Sequence, residues 1–331
     1  MYRLILRADL RDRIDVGRSE AVATDAPRKY GECNEERHSG AECQSGGAIP
    51  GRCRQFELQN PEWAHTMKVT EDSSFCIQPR DAARRGSTLT IVLPIFNEES
   101  NLGALLERIH RSLTKEAIPY RIIAVDDGST DGTAGVIEEF RSQASLIAVR
   151  HTVNQGLGAA IRTGLMEAVR LTSMDDVIVT MDADESHTPT LIARMLEAID
   201  GGFDVVIASR FQPGSSVHGV PAHRRFLSVA ASGLFRILFP TPGVRDFTCG
   251  YRAYRASALQ RAAKQYGDSL FEFEGFQCMV DLLLKLRGIG ARFVEVPFVL
   301  RYDLKKGQSK MRVLRTATRT LQLAIRRRIG I

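Results

Sequence analysis

A doubly wound α/β fold with a mostly parallel sheet is what this sequence predicts, on three observations. From Thr88 onward, short apolar runs alternate with stretches whose apolar residues recur every three to four positions. The connections between them are short, as in successive β-α-β units. Two of the runs end in acids: Tyr120–Val125 leads into Asp126 and Asp127, and Asp176–Met181 into Asp182 and Asp184. Carboxylates just past the C-terminal ends of parallel strands lie where open α/β sheets hold their ligands.

The elements follow in order. Thr88–Ile95 reads as a strand. Ser100 is placed to cap a helix whose apolar face is Leu102, Leu105, Leu106, Ile109 and Leu113. The strand Tyr120–Val125, a helix over Thr133–Phe140 and a short strand Leu146–His151 come next. A helix over Gly156–Leu171, the strand Asp176–Met181, a helix over Thr190–Ile199 and the strand Phe203–Ser209 complete the regular part. Beyond Arg210 the pattern loosens. Helices are expected over Arg224–Phe239 and Gln277–Leu286, separated by the breaker Pro240-Thr241-Pro242-Gly243. A strand over Arg292–Val296 follows, and Glu272 and Glu274, alternating with aromatics, read as one polar face of another.

The two ends of the chain differ from this middle. Residues 1–87 include Lys29–Arg54, a stretch nearly devoid of large aliphatics, and are expected to be a disordered extension. Met67 is a candidate for the true start. Cys33, Cys43, Cys53 and Cys76 match no common zinc spacing and read as reduced thiols. From Arg301 to Ile331 the chain carries ten Lys/Arg against one acid, so the tail holds +9 of a total formal charge of +6. Within residues 311–331, Leu314, Ala317, Leu321, Ala324 and Ile325 share one helical face, with most arginines elsewhere. That is the pattern of a basic amphipathic helix lying on a membrane surface, or packed on its own domain. No aromatic interleaving accompanies the charge, which argues against nucleic acid as the partner. No run approaches the ~18–20 apolar residues of a membrane span. The N-terminus is too charged for a secretory signal, so a cytoplasmic location, peripheral on the inner face of a membrane, is the expectation.

The chemistry concentrates in Asp182-Ala183-Asp184. Two hard oxygen ligands at a strand end suit Mg²⁺ or Mn²⁺ held together with a diphosphate. His187 is either a third ligand or a histidine at a helix entry. Asp127 either faces a nucleotide or caps the next helix. Asn154-Gln155-Gly156-Leu157-Gly158 lacks the order of a dinucleotide-binding loop and is as well explained by close packing.

Several segments together carry a resemblance. They are Leu93-Pro94-Ile95-Phe96-Asn97-Glu98-Glu99, Val125 to Ser129, Asn154 to Gly158, Asp182 to Asp184 with Ser186-His187, and Asp246 to Arg252; Gly307-Gln308-Ser309-Lys310 adds to them. Residues 88–311 resemble family 2 glycosyltransferases of the GT-A, Rossmann-like fold, and within them dolichyl- or polyprenyl-phosphate mannosyltransferases. The resemblance implies a catalytic domain over 88–310. It implies a nucleotide sugar as donor, GDP-mannose first, and polyprenyl phosphate as acceptor, with inversion. UDP-glucose or UDP-GlcNAc as donor, or a growing glycan as acceptor, stays open within the family; a non-catalytic nucleotide-binding protein is the remaining alternative. Pro94, Phe96, Glu98, Val125 and Asp127 match positions lining the nucleotide. Asp182, Ala183 and Asp184 match the metal and diphosphate motif, and Arg210 and Lys310 match residues reaching the donor. Asp246 and Arg252 become acceptor-side candidates, Arg252 because its fork suits a phosphate. Phe96 stands where the family has Tyr, Gln308 where it has Glu, and Leu304 where it has Arg, with Arg301, Lys305 and Lys306 as substitutes.

Overall fold

The computed structural model describes residues 87–272, 275, 277–304, 322 and 327, with the side chain of His223 excepted. The expected N-terminal extension up to residue 86, Lys310, and the C-terminal amphipathic helix apart from Gln322 and Arg327 lie outside the described residues.

Strands β1 (Leu89–Ile95), β2 (Tyr120–Asp126) and β3 (Leu146–Arg150) alternate with helices α1 (Glu99–Lys115) and α2 (Thr133–Arg141). Helix α3 (Leu157–Leu171), β4 (Val177–Thr180), α4 (Leu191–Asp200) and β5 (Val205–Ser209) continue the alternation. A short strand β6 (Ser216–His218), helix α5 (Ala222–Leu238), β7 (Arg252–Arg255), α6 (Ala256–Tyr266), α7 (Gln277–Gly288), β8 (Phe293–Pro297) and β9 (Val299–Arg301) follow. The main sheet runs β3-β2-β1-β4-β7-β5-β8, and β6 pairs with β9 in a small second sheet. Every pairing in the main sheet is parallel except those of β7, which runs antiparallel to both β4 and β5.

Strands β1, β4 and β5 read as unbroken apolar runs because both faces are covered: Ile91, Val92 and Leu93 are fully buried, as are Val205 to Ala208. Helix α1 turns Leu102, Leu105, Leu106, Ile109 and Leu113 inward, the face its spacing predicts. Its start differs from expectation. Glu98, not Ser100, is the N-cap residue; its carbonyl accepts from Asn101 and Leu102, and its N–H donates to Thr133 Oγ1 at 2.9 Å. A contact with the next helix thus overrides the local preference for serine. Nor does Glu272 lie on a strand: it ends a 3-10 turn with helical backbone angles (φ −79°, ψ −26°). Glu274 lies outside the described residues.

Helix α3 lies close on the sheet at Gly164. A β-carbon there would sit 2.3 Å from Val92 Cγ1 and 3.1 Å from Val125 Cγ2, both in the packed core. Gly164→Ala is therefore expected to destabilise the fold by about 1–3 kcal/mol, read as a lowered urea midpoint. Gly135, in α2 with nothing within 4 Å of its added β-carbon, is the control. Gly135→Ala should instead stabilise by up to about 1 kcal/mol. Equal midpoints for the two variants would refute the close approach of α3. Among the described residues no helix is long and apolar enough to cross a membrane.

Candidate active site

Strand order changes direction at β1, which has β2 on one side and β4 on the other. The crevice beyond the C-terminal ends of such strands is the usual ligand position. Register brings Ile95 beside Asp126 and Val92 beside Thr180, so the loops after β1, β2 and β4 leave one edge together. A small cavity opens there, lined by Pro94, Leu157, Ile161, Thr180, Met181, Asp182, Gly250 and Met279.

The first two loops are stitched to each other. The Asn97 N–H donates to Ser129 Oγ at 2.9 Å, and the Thr130 N–H donates to Asn97 Oδ1 at 2.8 Å. Asn97 takes a left-handed backbone (φ 51°) to do this. Glu98, nearly buried, accepts from Asn101 Nδ2 at 2.7 Å, and Phe96 is half-buried beside it. Asp126 caps its own turn by accepting from the Ser129 N–H, and faces Arg150 Nε at 3.2 Å.

Asp127 is buried, and both of its oxygens are engaged. Oδ1 accepts from the Gln155 N–H at 2.9 Å and meets His151 Nδ1 at 2.7 Å, while Oδ2 accepts from the Gly156 N–H at 2.8 Å. The carboxylate thus holds the Asn154–Gly158 loop against the sheet edge, and a nucleotide contact would share oxygens already in use. Val125 is a correction to the sequence reading. Its side chain is fully buried toward Gly164, so it offers no surface to a ligand.

The Asp182-Ala183-Asp184 segment follows β4. The Asp182 side chain, 34% exposed, stands on the cavity wall with Gly250 beside it; a β-carbon at Gly250 would lie 3.8 Å from Asp182 Oδ1. Ala183 is buried. Asp184 Oδ1 accepts from the Ser186 hydroxyl at 2.5 Å and from its N–H at 3.2 Å, which fixes the turn. His187 is buried between rings, stacked on Tyr251 at 4.8 Å and edge-on to Phe298 at 5.3 Å. Its Nδ1 accepts the Asp182 N–H at 3.0 Å, so in the neutral ring the proton sits on Nε2, 3.6 Å from Asp182 Oδ2. A protonated Nε2 has no lone pair for a cation. His187 is thereby corrected from a metal ligand to a residue that holds Asp182.

A hard divalent cation fits this donor set. Mg²⁺ is commonly bound by one or two carboxylates together with substrate phosphates, so the Asp182 and Asp184 carboxylates provide a sufficient protein share. Among the described residues no cluster of three or more His, Cys, Asp or Glu offers a fuller cage.

Across β7 from Asp182, Arg210 follows the end of β5. Its Nε donates to Asp246 Oδ2 at 2.8 Å, and Nη2 donates to Asp246 Oδ1 at 2.7 Å and to Thr248 Oγ1 at 2.7 Å. Asp246 is fully enclosed and also accepts from the backbone N–H groups of Arg210 and Cys249. Burial works to raise its pKa, but the Arg210 charge and hydrogen bonds, with Arg252 farther off, hold it below the usual carboxylate range. Burial conversely opposes the Arg210 charge, and Asp246, then Cys249 and Asp182, raise its pKa above the ordinary value. Burial and the neighbouring Asp246 push the Cys249 thiol up to about 12, so it stays a neutral thiol. Asp246, an acceptor-side candidate in the sequence, thus has both oxygens engaged in holding Arg210. Arg252 is a further correction: fully buried, it donates to the carbonyls of Met279 at 2.6 Å and Phe247 at 2.8 Å, leaving no approach for an acceptor phosphate.

One residue outside the sequence reading completes the arrangement. Glu295, on β8, accepts from the backbone N–H groups of Arg245 and Asp246 through Oε1, at 2.5 and 2.6 Å, and from Gln212 Nε2 through Oε2 at 3.0 Å. It ties the Asp246 loop to the loop after Arg210. Its signal in the sequence was an acid inside the apolar run Phe293-Val294-Glu295-Val296.

The family model for glycosyl transferase family 2 matches residues 90–262. The chain belongs to glycosyltransferase family 2. Similar curated relatives of this family 2 glycosyltransferase include a polyprenol monophosphomannose synthase of Mycolicibacterium smegmatis, 35% identical over 67% of this chain and 80% of the relative. A dolichol-phosphate mannosyltransferase of Pyrococcus furiosus is 32% identical over 68% of this chain, which spans 59% of that relative's length. Among solved structures, glucosyl-3-phosphoglycerate synthase of Mycobacterium tuberculosis with Mn²⁺, UDP and glucosyl-3-phosphoglycerate superposes with a TM-score of 0.55. It is 21% identical, covering 80% of this glycosyltransferase and 87% of the other chain, and it supports the fold.

Proposed function

We propose that this glycosyltransferase moves mannose, from GDP-mannose as first donor, onto a polyprenyl phosphate with inversion. The observation that carries the reading is the pairing of Asp182, on the cavity wall, with Arg210, locked by Asp246 across β7. The mannosyltransferase relatives, matching over about two thirds of the chain, support the choice of sugar and acceptor. Mg²⁺ or Mn²⁺ held by Asp182 and Asp184 would neutralise the departing nucleoside diphosphate. Crystals of the M. tuberculosis synthase with Mn²⁺ or with Mg²⁺ and UDP support such a cation on this fold.

The chain's own residues divide the remaining work. Arg210 Nε and Nη2 are occupied by Asp246 and Thr248, so Nη1 is the nitrogen that turns to the donor's phosphates. Because its geometry is fixed before binding, its charge stabilises the developing diphosphate without reorganisation. Pro94, Phe96 and Glu98 bound the nucleotide side, and Lys310 is a further phosphate contact. A phosphate acceptor arrives as an anionic nucleophile, so no carboxylate has to take up a proton, in keeping with the full engagement of Asp246 by Arg210.

The test is transfer from radiolabelled GDP-mannose, UDP-glucose and UDP-GlcNAc, each with Mn²⁺, with and without polyprenyl phosphate. Mannolipid formed only with GDP-mannose and lipid phosphate is the expected result. Turnover of another donor, or turnover indifferent to the lipid, would overturn the donor or the acceptor.

A further inference from the structure

We infer that His151 is a positioning residue for the nucleotide: it holds Asp127 so that one carboxylate oxygen, Oδ2, is presented to a hydrogen-bond donor of the nucleoside. This rests on the nucleotide-sugar donor proposed above. The end of β3 serves the two acids that end β2. Register sets Arg150 beside Asp126, and Arg150 Nε lies 3.2 Å from Asp126 Oδ2. His151, one residue on, meets Asp127 instead. Its backbone N–H donates to the Asp126 carbonyl at 2.9 Å, which extends the ladder by one residue and places the buried ring. Nδ1 then lies 2.7 Å from Asp127 Oδ1, and Nε2 lies 3.0 Å from Thr163 Oγ1.

Valence fixes the direction of these bonds. An ionised carboxylate only accepts, so Nδ1 carries a proton, and Nε2 of the neutral ring accepts from the Thr163 hydroxyl. Asp127 Oδ1 thus receives two donors, His151 Nδ1–H and the Gln155 N–H, while Oδ2 receives one, the Gly156 N–H. A carboxylate offers about four acceptor sites, and the one left over lies on Oδ2. Asp127 follows β2 and Asp182 follows β4, on the two sides of β1. A donor whose diphosphate lies at Asp182 therefore extends its nucleoside across β1 toward Asp127. Without the imidazole, the Asp127 side chain would keep only two backbone contacts, both from the same loop. The ring adds a bearing on α3. Thr163 precedes Gly164, whose close approach to Val92 and Val125 seats that helix on the sheet. The remaining acceptor site on Oδ2 inherits this rigidity, so its direction is set before the nucleotide arrives.

The experiment is calorimetric binding of GDP, UDP, CDP, ADP and inorganic pyrophosphate, each with Mn²⁺, to the full chain as wild type, His151→Leu, His151→Asn and His151→Gln. The Asn side-chain nitrogen is as far along the chain as Nδ1 and can donate to Asp127. The Gln nitrogen is one bond farther, as Nε2 is, and faces Thr163. His151→Leu and His151→Gln should weaken the nucleotide that wild type binds about ten-fold or more, the scale of one hydrogen bond to a charged group. His151→Asn should stay within about three-fold of wild type, because it keeps that bond. Pyrophosphate, which has no nucleoside to reach Asp127, should bind all four proteins equally. A ring that only filled the core would lower the urea midpoint of every variant and leave these ratios alike. Nucleotide and pyrophosphate weakened together in His151→Leu, or His151→Asn no better than His151→Gln, overturns the inference. The same pattern among the variants with a nucleotide other than GDP would sink the donor assignment and leave the role of His151 standing. A wild type that binds no nucleotide overturns both.

Discussion

Asp182→Asn is expected to lower kcat/KM for the proposed glycosyl transfer by about 10²–10³-fold, the scale on which single electrostatic contacts to a developing charge act. The substitution keeps the shape of the side chain and its place on the cavity wall, and removes one full negative charge. Since the side chain is 34% exposed and the backbone N–H still reaches His187 Nδ1, stability should shift by no more than about 1 kcal/mol. The informative measurement is a Mn²⁺ titration of GDP binding beside the rate. Wild type should bind the nucleotide more tightly as Mn²⁺ rises, and the variant should respond weakly. A variant within about three-fold of wild-type kcat/KM would remove Asp182 from the reaction.

Asp246→Asn should act through both stability and rate. The wild-type carboxylate meets Arg210 with both oxygens in a fully enclosed position, and removing one member of a buried ion pair typically costs about 3–5 kcal/mol. Arg210 then loses its orientation, and an error of about 1 Å in a positioned group can cost about 10²-fold in rate. The pH dependence identifies the cause. The Asp246 pKa is depressed in the fold, so its contribution to stability is present above the unfolded value near ~3.9 and is lost as pH falls through the lower folded value. The stability gap between wild type and Asp246→Asn should thus be full at neutral pH and narrow in acid. Urea unfolding at several pH values reads this directly; a gap independent of pH would show that shape, not charge, holds the loop.

Much of the fold was legible because its strands are covered on both faces and so read as continuous apolar runs, while α1 and α4 declare one buried face each. Strand β7 was not legible. Its four residues, Arg252 to Arg255, include two arginines, and nothing local announces that the first is enclosed in the core. The same limit applied at the site. Asp182 and Asp184 stood out because a hydrophobic run ends beside them. Asp246 and Arg252 were recognised as notable, but their partners lie elsewhere in the chain or on backbone carbonyls, and burial depth has no signature in a single sequence. Glu295 illustrates the converse: an acid inside an apolar strand was a visible anomaly whose partners only the fold reveals.

The antiparallel strand has a metric consequence. Asp182 follows β4 and Arg210 follows β5, yet these strands are not neighbours, because β7 lies between them. Two inter-strand spacings of about 4.8 Å set the two strand ends roughly 10 Å apart. Strand β7 is thus a gauge block of four residues: its backbone hydrogen bonds to both sides fix the separation, and Gly250, two residues before it, lines the cavity on the Asp182 side. That span cannot be tuned by degrees, since a sheet gains or loses width only in whole strands. Adaptation of this scaffold to donors of other sizes must therefore proceed through the loops that follow β1, β4 and β5, with the frame unchanged.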